Sequence, residues 1–205
     1  MKYYFIGLML ASGANTESGI AIINRDNEII LIDKLFTMQD VQHFFENFSS
    51  LENSQICISL PFDNTMINGK WRLLSKLYQT LNCNNNKLIN TNNWTQRYSN
   101  RGTDYFKSLI EKGININRFD IYLTRQALKL NSCFKERSPA DCKALQSALK
   151  IKYGFSSIPS NMMPMAHLEA LTGAVLAKKI TEQDEENKQK ETPLFEFNGI
   201  EVIRG

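Results

Sequence analysis

Residues 55–60 read QICISL, apolar at almost every position until Pro61 ends the run. A strand that meets water on one face alternates apolar and polar residues. One that does not alternate needs cover on both faces, as in parallel pairing reached through a helical crossover. The preceding stretch supplies the crossover. Val41, Phe44, Phe45 and Phe48 recur at the i, i+3, i+4, i+7 spacing of one helix face, and Thr37 with Asp40 three residues on can close the helix start. The phenylalanine stripe is therefore assigned to a core. Upstream, residues 3–10, 19–24 and 28–36 read as strands parted by SGANTES and by the tight RDN turn, which makes an antiparallel meander. Three antiparallel strands, a helix and a doubly covered strand give an α/β fold with a mixed sheet and flanking helices.

The rest of the chain continues that alternation. Leu73, Leu74, Leu77 and Leu81 form one stripe of a helix over 71–81, ended by NCNNNK, and LIN can be a short strand. A long loop, TNNWTQRYSNRGTD, leads to a helix over 105–112 that Gly113 stops, and FDIYL reads as the fifth strand. Ser138 as N-cap, Pro139 at the first helical position, Asp141 at the third and Gly154 at the end mark the best-defined helix. Asp141 is accounted for by capping. A last helix over 165–179 turns Leu168, Leu171, Thr172, Val175 and Leu176 inward. TEQDEENKQKET, without an apolar residue, is expected to be a solvated tether over 181–192, and residues 193–205 a hairpin turning at Asn198–Gly199. Both faces of that hairpin carry apolar groups, so it must dock, either on the chain's own sheet or on a second subunit as a homodimer.

A chain of 205 residues suits one domain over 1–205. A net charge of +3 and a charged fraction of 22% fall far short of the basic stripe that duplex binding by charge alone requires. The four cysteines, Cys57, Cys83, Cys133 and Cys142, form no C-x-x-C pair and read as free thiols of a reducing compartment. No apolar run is long enough to span a bilayer, so the expectation is a cytoplasmic protein without membrane contact.

Six stretches stand in an informative order: IGLMLA, ISLPF, RGTD, IYLTRQ, KERSPADCKALQSAL and HLEAL. Their sequence resembles the ribonuclease-H-like fold of RuvC-type resolvases, and more closely a family of RuvC-like nucleases within it, over nearly the whole chain. That family carries I-G-I-D-x-A, I-D-A-P-L, R-x-x-D, I-E-V-x-P-E, a K-K-T helix entry and a closing D-A-L helix at these places. Met9 then stands where the first aspartate would be, Ser59 where the second would be and Tyr122 where the junction glutamate would be. Arg101 with Asp104, and Glu169, keep the family's chemistry.

The resemblance implies a nuclease ancestry, and chemistry implies its loss. Nucleases of this fold hold two divalent metals roughly 3.5–4 Å apart. Magnesium demands hard oxygen ligands, whereas a thioether is soft and a serine hydroxyl brings no charge. Catalytic residues are accordingly expected to be none, with Met9, Ser59 and Tyr122 degenerate, and no metal or cofactor bound. The competing reading is a nuclease using magnesium or manganese on displaced carboxylates, with Glu169, Asp104 and Asp63 as residual candidates. Trp94, Arg97, Tyr98 and Arg101 interleave aromatic and basic groups, a composition able to stack bases and hold phosphates, so weak single-strand nucleic-acid binding is expected there if anywhere. Arg101 and Asp104 fit a loop ion pair equally well. His43 and His167, the only histidines, have no acidic or cysteine neighbour in sequence and are read as structural. The expected function is a catalytically inactive binding or scaffolding module with a protein partner.

Overall fold

The computed structural model describes residues 3–11, 17–59, 101–186, 195–197 and 200–203. Strands β1 (Tyr4–Met9), β2 (Ser18–Asn24) and β3 (Ile29–Leu35) form the meander, followed by α1 (Met38–Asn47), a short 3-10 turn and β4 (Ser54–Ser59). After them come α2 (Thr103–Glu111), β5 (Asn115–Phe119), α3 (Ile121–Ala127), α4 (Pro139–Tyr153), α5 (Met165–Glu185), β6 (Phe195–Phe197) and β7 (Ile200–Ile203). The sheet order is β3-β2-β1-β4-β5-β7-β6. β4 runs parallel to both β1 and β5 and is buried at every residue, Ser54, Gln55 and Ser59 included, because both its faces are covered. The expected helix over 71–81, the LIN strand, Cys83, Asp63, Trp94, Arg97 and Tyr98 lie outside the described residues.

Two apolar layers sandwich the sheet. On one side Ile6, Leu8, Ile20, Ile56 and Ile58 pack with Val41 and Phe45 of α1 and Phe106 of α2, so the phenylalanine stripe is core. Thr37 and Asp40 close the α1 start reciprocally, as the spacing predicts. On the other side Phe5, Met9, Cys57 and Phe119 meet Leu145 and Leu149 of α4 and Leu168, Leu171 and Leu176 of α5. Helix α5 lies against the backbone of β1 itself. A Cβ on Gly7 would stand 1.8 Å from the Ala170 carbonyl oxygen and 2.4 Å from the Ala174 nitrogen, so only glycine permits this approach.

Two expectations change. FDIYL is not a strand: β5 is NINRF, and Ile121–Ala127 is helical because the Asp120 carboxylate accepts the N–H groups of Tyr122 and Leu123, both at 2.8 Å. The expected tether begins late, since α5 runs on to Glu185, where Glu185 pairs with Arg25 and Glu182 lies 3.7 Å from Lys178. The terminal strands add to the chain's own sheet, with β7 parallel to β5 through Arg118–Val202 and Phe119–Ile203.

Candidate functional site

Because β1, β4 and β5 are parallel, their carboxyl ends lie side by side, the edge at which open α/β sheets bind ligands. Met9 ends β1, Ser59 ends β4, and Asp120 follows β5 directly. Met9 is 5% exposed and belongs to the α5-side core. Ser59 is fully buried, and its hydroxyl accepts the Leu10 N–H at 3.2 Å. A methyl thioether and an engaged hydroxyl stand at the ends of β1 and β4.

β5 ends at Phe119, and Tyr122 lies beyond it as the second residue of α3. Between them the Asp120 carboxylate serves as the α3 cap. Its signal was available, since an aspartate ahead of IYLTRQAL is a helix-start signature. The Tyr122 hydroxyl is pushed up in pKa by burial and then by the Glu169 carboxylate.

Helix α5 buries Glu169 completely, a cost that demands a partner. Arg137 supplies it, with Nη2 at 2.6 Å from Oε2 and Nε at 3.3 Å from Oε1. Arg137 adopts φ +57°, an unusual backbone for a side-chain-bearing residue, and its N–H also donates to Asp141 at 2.9 Å. Asp141 is more than a capping residue. Arg125 binds it through two nitrogens at 2.6 and 3.1 Å, and Ser132 donates to it at 2.6 Å. Burial alone would raise the Asp141 pKa. The hydrogen bonds from Arg125, Ser132 and the Arg137 N–H outweigh it and hold the carboxyl below its ordinary value.

Tyr122, Gln126, Asn131, Phe134 and Glu136 surround a cavity of about 180 Å³ above this network. That is below the ~300 Å³ at which small-molecule sites usually begin. Glu136 is pushed up to about 7, first by burial and then by the Asp141 and Glu169 carboxylates, against Arg125 and Arg137. The arrangement ties the loop between α3 and α4 to α3, α4 and α5. Its buried carboxylates cannot offer oxygens to a cation, because each already faces a guanidinium or backbone N–H groups. Among the described residues no group of three or more His, Cys, Asp or Glu is gathered as a metal would need. The described residues therefore gather no carboxylate set for a magnesium or manganese pair.

The other candidates scatter. Asp104 is exposed in the first turn of α2 and makes no ion pair with Arg101, whose Nη1 instead donates to the Ala11 carbonyl. His43 bonds Asn47 on its own helix, and His167 is half-buried with its pKa lowered, first by that burial. Cys57 and Cys142 are buried free thiols, whereas Cys133 is exposed. A wide groove of about 730 Å³ runs between the end of β3 and α1, floored by Leu35, Phe44 and Phe48, with Phe36 exposed at its rim.

No family model matches the chain. Among curated proteins it is similar to Mediator of RNA polymerase II transcription subunit 14 of Candida albicans, 30% identical over 128 residues. That match takes in 55% of this chain and 10% of the Candida protein, so the chain spans about a tenth of that relative's length. No helix among the described residues is long and apolar enough to cross a membrane.

Proposed function

We propose that this chain is a degenerate ribonuclease-H-like protein, derived from RuvC-like nucleases, that has lost metal-dependent chemistry and acts as a binding or scaffolding module. One observation carries the reading: at the strand edge where such nucleases work, the buried Glu169 is neutralised by Arg137 while Met9 belongs to the core. A guanidinium stands where the ancestral chemistry would need a cation. Sheet order 3-2-1-4-5 through the first five strands supports the fold relationship. The partial similarity to a Mediator subunit favours a protein partner over a small substrate. Buried free thiols at Cys57 and Cys142 suit a reducing, cytoplasmic setting. Trp94, Arg97, Tyr98 and Arg101 remain the residues through which weak single-strand binding would act.

Titration with manganese decides between this and a working nuclease. Ligands that bind only the native state must raise its melting temperature. We expect no rise at millimolar manganese and no heat of binding. A rise of several degrees, abolished by Glu169→Ala or Asp104→Asn, would establish the displaced-carboxylate nuclease instead.

A further inference from the structure

The cavity beside α3 contains one carboxylate that the ion pairs around it leave over. Glu136 lies in the segment between α3 and α4, is half-buried, and lines the space of about 180 Å³ together with Tyr122, Gln126, Asn131 and Phe134. The charged groups that face it are Arg125 from α3, Asp141 from α4, Glu169 from α5 and Arg137 from its own segment. These four are matched to one another: Arg125 holds Asp141 at 2.6 Å, and Arg137 holds Glu169 at 2.6 Å. Glu136 is therefore a third carboxylate beside two guanidiniums, and among the described residues no hydrogen bond reaches it. Burial first, then Asp141 and Glu169, push it up to about 7 against Arg125 and Arg137, so the charge it carries above that pH is uncompensated.

The walls suit a cation that brings its own donors. Tyr122 and Phe134 supply aromatic rings, whose faces attract positive charge. Gln126 and Asn131 are exposed and carry side-chain carbonyl oxygens to the rim, where they accept from N–H groups. Phe134 is 50% exposed, so the space opens to solvent. Its shape is held in advance. The Ser132 hydroxyl donates to Asp141 at 2.6 Å, the Phe134 N–H to Ser132 Oγ at 3.3 Å and the Arg137 N–H to Asp141 at 2.9 Å, which pins the segment on both sides of Phe134 and Glu136. An anion finds no place there, because the guanidinium in the wall, Arg125, is already bound to Asp141 through two nitrogens. A divalent metal needs several hard oxygens and meets one uncompensated carboxylate. The volume admits the head of a single side chain rather than a whole metabolite.

We infer that this cavity binds the ammonium head of a lysine side chain presented by a protein partner, with Glu136 as its counter-ion and the Tyr122 and Phe134 rings beside its methylenes. The inference rests on the binding-module reading for the existence of a partner and names the chemistry by which that partner is held. Lysine fits because its charge is compact, its three donors can reach a carboxylate and two amide oxygens at once, and its apolar stem lies against aromatic rings at no cost.

The test is a titration of the full chain with a short end-blocked peptide carrying one central lysine, followed by the side-chain amide signals of Gln126 and Asn131 in NMR spectra. At pH 8 these signals should shift and saturate. At pH 6 the affinity should be about tenfold lower, because Glu136 is then mostly protonated while the lysine stays charged at both values. The same peptide with Nε-acetyl-lysine should not bind, since acetylation removes the charge. Glu136→Gln should weaken binding about tenfold at pH 8 and erase its pH dependence, and Phe134→Ala should weaken it about threefold. If either variant does not fold, the pH comparison and the acetylated peptide decide on the wild-type chain alone. Unmoved signals at pH 8, equal affinity at the two pH values, or equal binding of the acetylated peptide overturns the inference. Titration with n-butylammonium identifies the source: weaker binding than the peptide assigns the partner's lysine, whereas equal or tighter binding overturns that assignment in favour of a free amine. The manganese experiment is independent, so a failed peptide titration leaves the inactive-module reading standing, and a manganese-induced rise leaves a measured lysine site standing.

Discussion

Replacing Arg137 with methionine tests the strongest claim about the strand edge, that a guanidinium holds Glu169 in place. Glu169 is fully buried and the Arg137 side chain is 32% exposed. Breaking a buried pair by removing one partner costs about 3–5 kcal/mol. Because Arg137 is a third exposed, water can enter where its head lay and screen what remains, which discounts the cost to about 2–3 kcal/mol. At roughly 2–4 °C per kcal/mol in a chain of this length, Arg137→Met should lower the melting temperature by about 5–10 °C. Glu169→Gln should cost less, about 1 kcal/mol, since Arg137 can turn to solvent and an amide oxygen still accepts. The double change Arg137→Met with Glu169→Met should recover most of the loss, because apolar residues of similar volume often replace a buried pair without penalty. Urea denaturation of wild type, both methionine singles and the double closes a cycle whose coupling term isolates the pair. A single-variant cost below about 0.5 kcal/mol, or a coupling term near zero, would refute the reasoning.

Met9→Asp should destabilise the fold by about 3 kcal/mol or more, since it places an unpaired carboxylate in the α5-side core, whereas Met9→Leu should cost less than about 1.5 kcal/mol; urea midpoints distinguish the two. Gly7→Ala should cost about 3 kcal/mol or prevent folding, because its methyl would meet backbone atoms that cannot swing aside, and a folded variant of wild-type stability would contradict the close approach of α5. Stability should also depend on pH on two sides. Glu136, raised to about 7, contributes stability that is complete below its unfolded value of about 4.3 and lost as pH rises through 7. Glu136→Gln should flatten that limb. Asp141, held low, contributes stability present above about pH 4 and lost as pH falls through its folded value, so acid melts of Asp141→Asn should lose that limb.

The elements that sequence predicts well are those whose cause is local. The Thr37–Asp40 box, the Ser138–Pro139 start with its Gly154 stop, and the apolar run of β4 each act within a few residues. β5 was hidden because NINRF alternates poorly: Asn115 and Asn117 are polar, and Arg118 is a buried charge that no hydrophobic pattern can announce. The seven-residue α3 is too short to show a period, and its apolar start joined visually to the strand before it. At the site, the strand-end positions of Met9 and Ser59 could be read from the sequence. The partners of the buried acids could not. Glu169 meets Arg137 across 32 residues and Asp141 meets Arg125 across 16, and such pairings exist only once α3, α4 and α5 are packed.

Helix α5 is buried at ten consecutive residues, Leu168 through Ala177, and its closest neighbour is β1, at the far end of the chain. This makes the order of synthesis consequential. At roughly 5–20 residues per second a ribosome needs about 10–30 s to travel from β1 to the end of that helix. Throughout that interval the α5-side face of the meander lacks its main cover: Phe5, Met9, Ala21 and Ile23 are made but not fully enclosed. Contacts so distant in sequence also close slowly in a refolding experiment, because the intervening loop must be ordered before they form. The nascent chain should therefore occupy holdase chaperones until α5 emerges, and a truncation stopping before residue 165 should be captured by them permanently.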